Sequence, residues 1–298
     1  MPGLTPDQIV IGLLLPAAIA AAAMIAAWRP WQRGAPDGRW IGGPALAIGF
    51  YIAFAKLVDN PLKTNDWSRW TPLLLVPAAI VALIDALWPP RRMWIRLLPP
   101  AVLGLLLGWL ELPPAENRSV AATVHLLSMI GVGACVLLIW WLSLERVSRS
   151  MPGMTGPLAL WLAAAGVSVT MATAATLFEG LAVASIATMA GAAALVAWWS
   201  RRTLALDHGA VLTASAAVVG AMVTAFTPLF SPGNSPANMI AVALAALSPL
   251  GIWMGEIPLL NRGGRFRRGV TRLALVAAAV IAAIALSAWF ARQASQDM

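Results

Sequence analysis

The sequence predicts an all-α, polytopic integral membrane bundle of about ten transmembrane helices, with the N-terminus and C-terminus both outside. Three observations predict it. Charged residues make up only 11% of the chain, against 60% hydrophobic, where a soluble domain carries about 25% charged residues. The apolar residues gather in runs of about 18–25, the length that spans a bilayer as helix. These runs are rich in Ala and Leu and lack period-2 alternation, so helices rather than barrel strands satisfy the backbone in lipid. The whole chain, 1–298, reads as one transmembrane domain.

The first run, about 8–28, contains Pro16 and precedes Arg29, Arg33 and Arg39 in a Gly/Pro-rich loop. No Lys or Arg comes before it, the reverse of signal-peptide polarity, so it reads as a first span. The second run is about 41–58. Residues 59–70, with Asp59, Lys63, Asp66, Trp67 and Trp70, form a charged, aromatic segment suited to the membrane interface. Thr71 and Pro72 then supply the favoured N-cap and N1 pairing for a third helix, which ends near Trp88 before Pro89 and Pro90. The fourth span is the weakest. Arg91, Arg92 and Arg96 precede Pro99 and Pro100, and the apolar run to Leu112 is short.

The fifth span covers about 120–144 and the sixth about 157–178, with Glu179-Gly180 expected as a tight turn into the seventh, which ends at Trp199. The eighth covers about 209–230, with Asp207 as its expected N-cap. Ser235 and Pro236 open the ninth, which runs to about 257 with Ser248-Pro249 near its middle. The tenth covers about 270–291.

Charge tests this count. With the N-terminus outside, fifteen of the twenty Lys and Arg residues fall on the inner side and five on the outer, as the positive-inside rule requires. Removing the fourth span would destroy the bias. Tryptophans agree: Trp28, Trp31, Trp40, Trp88, Trp94, Trp140, Trp141, Trp198 and Trp199 are expected at the inner interface. Trp67, Trp70, Trp109 and Trp289 are expected at the outer one. Arginine outnumbers lysine 18 to 2 and alanine is abundant, a composition associated with GC-rich bacterial genomes. The expected location is the bacterial inner (plasma) membrane.

The net charge of +8 does not imply a nucleic-acid partner, because the arginines sit at helix ends and form no basic face. The single cysteine, Cys135, excludes an intrachain disulfide and a cysteine-based metal or redox site. No phosphate-binding glycine loop, no His-Glu-x-x-His and no Gly-x-Ser-x-Gly is present, so neither cofactor nor metal is expected. The implied partners are the lipid bilayer and other membrane subunits or further copies of the chain.

Polar groups inside a membrane are expensive, so each is a candidate functional residue. The outer half holds Tyr51, Lys56, Glu111, His125 and Glu179, the candidate substrate-binding set. Lys56 also fits a snorkelling role, with Asp59 within i,i+3 reach. His125 lies about one and a half turns into the fifth helix, where an imidazole serves as a proton carrier or an interhelical hydrogen-bonding group. The inner half holds Asp85, Glu145, Asp207, His208 and Glu256, of which Glu256 is expected to salt-bridge to nearby arginines. Pro16, Pro77 and Pro249 each remove a backbone hydrogen bond inside a span. Ser248 and Pro249 mark the break closest to a midplane, where transporter sites form. The hydroxyls Ser168, Thr170, Thr173, Thr176, Ser185 and Thr188 fit tight helix packing.

Three functions fit this pattern. The first is a small-solute or ion carrier with a polar cavity towards the outer face. The second is a non-catalytic scaffold or accessory subunit of a larger membrane complex. The third is a membrane-embedded lipid-modifying enzyme using His125 as base, with Lys56 or Arg69 on a phosphate. No catalytic residue is assigned.

Overall fold

The computed structural model describes residues 5–29, 41–57, 78–80, 84, 93–110, 120–151, 153–174, 177–200, 206, 208–229, 236–257 and 264–296. Every described element is helical. The first span is a short α1, Pro6–Ile9, a π-helical turn over Val10–Leu14, and α2, Leu15–Trp28. Pro16 has no N–H to give the preceding turn, and the chain is underwound there into the wider π geometry. The helix ends where Arg29 adopts the left-handed conformation, φ 43°, and donates its N–H to the Ile25 carbonyl at 3.0 Å. Next come α3 (Gly42–Leu57), α4 (Met93–Leu110), α5 (Val120–Ser150), α6 (Thr155–Thr173) and α7 (Leu177–Ser200). The chain closes with α8 (His208–Leu229), α9 (Pro236–Ala246), a 3-10 turn over Ser248–Leu250, α10 (Gly251–Met254) and α11 (Arg265–Gln296).

Five of these stretches are long and apolar enough to cross a membrane: Val10–Trp28, Gly131–Ser150, Thr155–Thr173, Leu177–Ser200 and Phe266–Gln293. Gly42–Leu57, Leu97–Leu106, Gly209–Met222 and Met239–Met254 are shorter apolar helices. The molecule is therefore a multi-pass membrane protein in contact with lipid. Of the expected third span only 78–80 and residue 84 are described, and the interfacial segment 59–70 lies outside the described residues.

At the centre is α7, 72% of whose spanning window is buried, against 22% for the first and last spans. It touches α2, α3, α6 and α8, while α11 packs on α6, α9 and α10 at one edge. With lipid outside, apolarity alone does not hold helices together, and close backbone approach does. Gly180 shows this. A Cβ built there would stand 2.8 Å from the Ser168 carbonyl oxygen and 2.9 Å from the Ala172 nitrogen. Here the sequence expectation is corrected: Glu179-Gly180 is not the turn between α6 and α7. The chain leaves α6 at Thr173 and has re-entered helix by Leu177. The glycine serves helix contact instead.

Two other boundaries differ. The fourth helix begins at Met93, ahead of Pro99 and Pro100, and carries both prolines within it. The fifth continues to Ser150, because Glu145 and Arg149 pair at i,i+4 and Ser148 bonds to the Leu206 carbonyl across to the start of α8.

Contacts between helix ends sort the bundle into two faces. Gly42 of α3 abuts Ala210 of α8, Gly269 of α11 faces Met151 and Thr155, and Arg146 of α5 meets Glu256 beyond α10. At the opposite end, Ala53 and Leu57 of α3 pack with Leu177 and Leu181 of α7, and Thr173 bonds to Ser287 of α11. Those helices thus alternate in direction. The tryptophans divide. Trp198 and Trp199 are 68% and 61% exposed, as belt residues should be, but Trp28, Trp140 and Trp141 are buried inside the bundle.

Candidate functional site

The helix expected as the ninth span is broken where the sequence places Ser248 and Pro249. Proline at position 249 has no N–H for the carbonyl four residues back, and its ring crowds the preceding turn. The chain tightens into the 3-10 turn Ser248–Leu250, in which the Leu250 N–H donates to the Leu247 carbonyl at 2.9 Å. That shift leaves the Ala246 carbonyl without the N–H an unbroken helix would supply. The indole Nε1 of Trp140, on α5, fills the role at 2.7 Å in the buried interior. The Ser248 hydroxyl, 1% exposed, has no hydrogen-bond partner among the described residues. Gly251 restarts the helix and lets it lie on the backbone of α11: a Cβ there would stand 3.0 Å from Leu275 and Val276 main-chain atoms.

About two turns further on, Glu256 ties three elements together. One carboxylate oxygen accepts Arg146 Nε at 2.8 Å and Arg272 Nη2 at 3.2 Å; the other accepts Arg146 Nη2 at 3.3 Å. The pairing with Arg146 is thus two-pronged, the geometry that suits a guanidinium best. Arg272 is only 5% exposed and also donates to Ser150 Oγ at 2.7 Å. Its stem lies over Gly255, where a Cβ would stand 2.6 Å from Arg272 Cγ. Trp253 completes the arrangement. Its Nε1 donates to Ser143 Oγ at 2.9 Å, and its ring carries Arg146 Cζ 6.0 Å from the centroid. Beside it Glu145, itself buried, pairs with Arg149. The clamp joins α5, the end of α10 and the start of α11.

The candidate set of the other face is only partly described. Tyr51 is half-buried on α3, and Lys56 is exposed in the last turn of the same helix. Glu179 is half-buried in the first turn of α7, which packs against α3. The cluster of Ala53, Leu57 and Leu181 places Lys56 and Glu179 at the same end of the bundle. His125 lies within α5, but its side chain, like Glu111, Asp59, Pro77, Asp85 and Asp207, lies outside the described residues. The hydroxyls of α6 and α7 mostly bond back to their own helices: Thr170 to Gly166, Ser185 to Ala182 and Thr188 to Ser185. Thr188 also donates to the Leu13 carbonyl at 3.1 Å, in the π-helical turn ahead of Pro16.

Sequence reasoning singled out Glu256 and its arginine neighbours but not the partners it takes. Arg146 is 110 residues away and becomes a neighbour only through packing of α5 against the broken span. The sequence places Trp140 at the interface, and its role at the break has no sequence signal beyond Pro249. Among the described residues no group of three or more His, Cys, Asp or Glu side chains is placed to hold a metal ion, and Cys135 is exposed. Compared with family models, with curated proteins and with solved structures, the chain matches none.

Proposed function

We propose that this chain is a small-solute or ion carrier of the bacterial inner membrane, crossing ten times with both termini outside. The single observation that carries the reading is the broken ninth span, with the Ser248 hydroxyl buried at the break without a partner among the described residues, and the Glu256 clamp closing the bundle below it. Unwound helix at membrane depth is tolerated where it faces protein or a cavity, and carriers use such breaks to present backbone and hydroxyl groups to a solute. A carrier must close one face while the other is open. A two-pronged ion pair joining three elements at the arginine-rich end is suited to that closure. The cavity then opens towards the other, outer face, where Tyr51, Lys56 and Glu179 are the candidate contacts, together with Glu111 and His125.

The test is side-specific thiol labelling. In a Cys135→Ser background, Ser248→Cys should react with a membrane-impermeant maleimide added from the face opposite the arginines. Adding Glu256→Gln should shift reactivity towards the arginine face. No reaction from either face, with or without the Glu256 change, would remove the carrier reading.

That outcome would favour the second reading, a non-catalytic scaffold or accessory subunit. A specific observation supports it too: 72% of the spanning window of α7 is buried, with packing down to backbone contact at Gly180.

A further inference from the structure

We infer that the arginine face of α5 and α11 holds the phosphodiester headgroup of an anionic lipid. The charge inventory comes first. Among the described residues, Arg146, Arg149, Arg268 and Arg272 gather with only two carboxylates, Glu145 and Glu256. Glu256 is shared between Arg146 and Arg272, so one negative charge answers two guanidinium groups. Arg268, one turn before Arg272 on α11, is close enough to repel it, as Arg146 is from the other side.

Hydrogen bonding gives the second, independent observation. The Nε atoms of Arg268 and Arg272 are both buried and without a partner among the described residues. Arg272 as a whole is 5% exposed. Two guanidinium donors withdrawn from water with no acceptor are an arrangement that a phosphate oxygen completes, because the planar fork matches its geometry. The half-exposed side chains of Arg146 and Arg149 leave the cluster open at its surface.

The apolar surroundings favour a lipid over a free anion. Phe266 is 85% exposed two residues before Arg268, and Met254 and Ile257 flank Glu256 at 53% and 43% exposure. Trp253 lies alongside, 41% exposed, with its indole N–H turned inward to Ser143. Acyl chains cover such side chains and a soluble phosphate does not. Basic pockets between helices at the cytoplasmic surface are a recurrent way of holding anionic headgroups.

The test uses the intact chain in detergent micelles. It is titrated separately with phosphatidylglycerol, with phosphatidylcholine of the same chain length, and with inorganic phosphate. Bound molecules are counted by native mass spectrometry. Phosphatidylglycerol should be retained in preference to both of the others. Arg268→Gln should weaken its binding about fivefold, the effect of one cation at an anionic surface, while Arg292→Gln, towards the other end of α11, should not. Glu256→Gln removes the competing carboxylate and should tighten binding. Should Arg268→Gln not fold, Arg149→Gln, half-exposed, serves as the charge-removal variant. Equal retention of the two lipids, or binding unchanged by both arginine variants, overturns the proposal. Retention of inorganic phosphate as tightly as the lipid would also overturn it, leaving a site for a free anion.

Discussion

The indole N–H of Trp140 donates to the carbonyl of Ala246 at 2.7 Å, across 106 residues of sequence, at the place where the ninth span loses its own hydrogen bond. A break in one helix is repaired by the side chain of another. Removing the donor should therefore expose the defect. Trp140→Phe keeps an aromatic ring but leaves a buried carbonyl unsatisfied, and should lower stability by about 1–3 kcal/mol beyond the loss of ring volume. Trp28→Phe is the comparison. Trp28 is equally buried, but its Nε1 has no partner among the described residues, so only packing is lost. Thermal unfolding of both variants in mild detergent checks the difference.

Proline 249 should be the cause of the break rather than a passenger. Pro249→Ala restores an N–H that reaches the Ala245 carbonyl and lets α9 run on towards α10. Stability should hold or rise by about 1 kcal/mol. Labelling at position 248 in the thiol assay should fall, because the hydroxyl site is drawn into regular helix. Unchanged labelling would detach the break from the proposed function.

The two arginines of the clamp should not be equivalent. Arg146 has a side chain 54% exposed, and Arg272 has one 6% exposed. An exposed pair is worth about 0–1 kcal/mol, so Arg146→Gln should be mild. Glu256→Ala strands the buried Arg272 without its carboxylate, and should lose about 2–4 kcal/mol, somewhat under the full penalty for breaking a buried pair because Glu256 is partly wet. A double-mutant cycle on Arg146 and Glu256, read by unfolding midpoint, measures the pairwise part.

Close contact of α6 and α7 should fail first at Gly180. Its would-be Cβ meets main-chain atoms of Ser168 and Ala172, which cannot rotate away as a side chain can. Gly180→Ala should therefore destabilise by about 1–3 kcal/mol. Gly131 is the control within the same bundle: a Cβ there meets nothing within 4 Å among the described residues, so Gly131→Ala should be neutral or slightly stabilising through helix propensity. Unfolding midpoints of the two variants decide it.

Much of this molecule is written in composition and periodicity. Lipid offers the backbone no hydrogen bonds, so long apolar runs must be helices, and arginines must gather where those helices end. That is why the multi-pass class and most helix positions could be read from the residues alone. The break at Ser248-Pro249 was equally legible, because proline's missing donor is a local property. Tertiary structure decided what no local rule contains. Glycine 180 reads as a turn in sequence, and becomes a contact point only once α6 lies beside it. Trp140 reads as a belt residue, and becomes a hydrogen-bond donor only because Ala246 comes within 2.7 Å. Glu256 has several arginines near it in sequence, yet one of the two it takes is Arg146, 110 residues earlier. Which groups meet is set by how helices pack, and packing among so many similar Ala-rich surfaces is decided by backbone approach and shape rather than by any pattern along the chain.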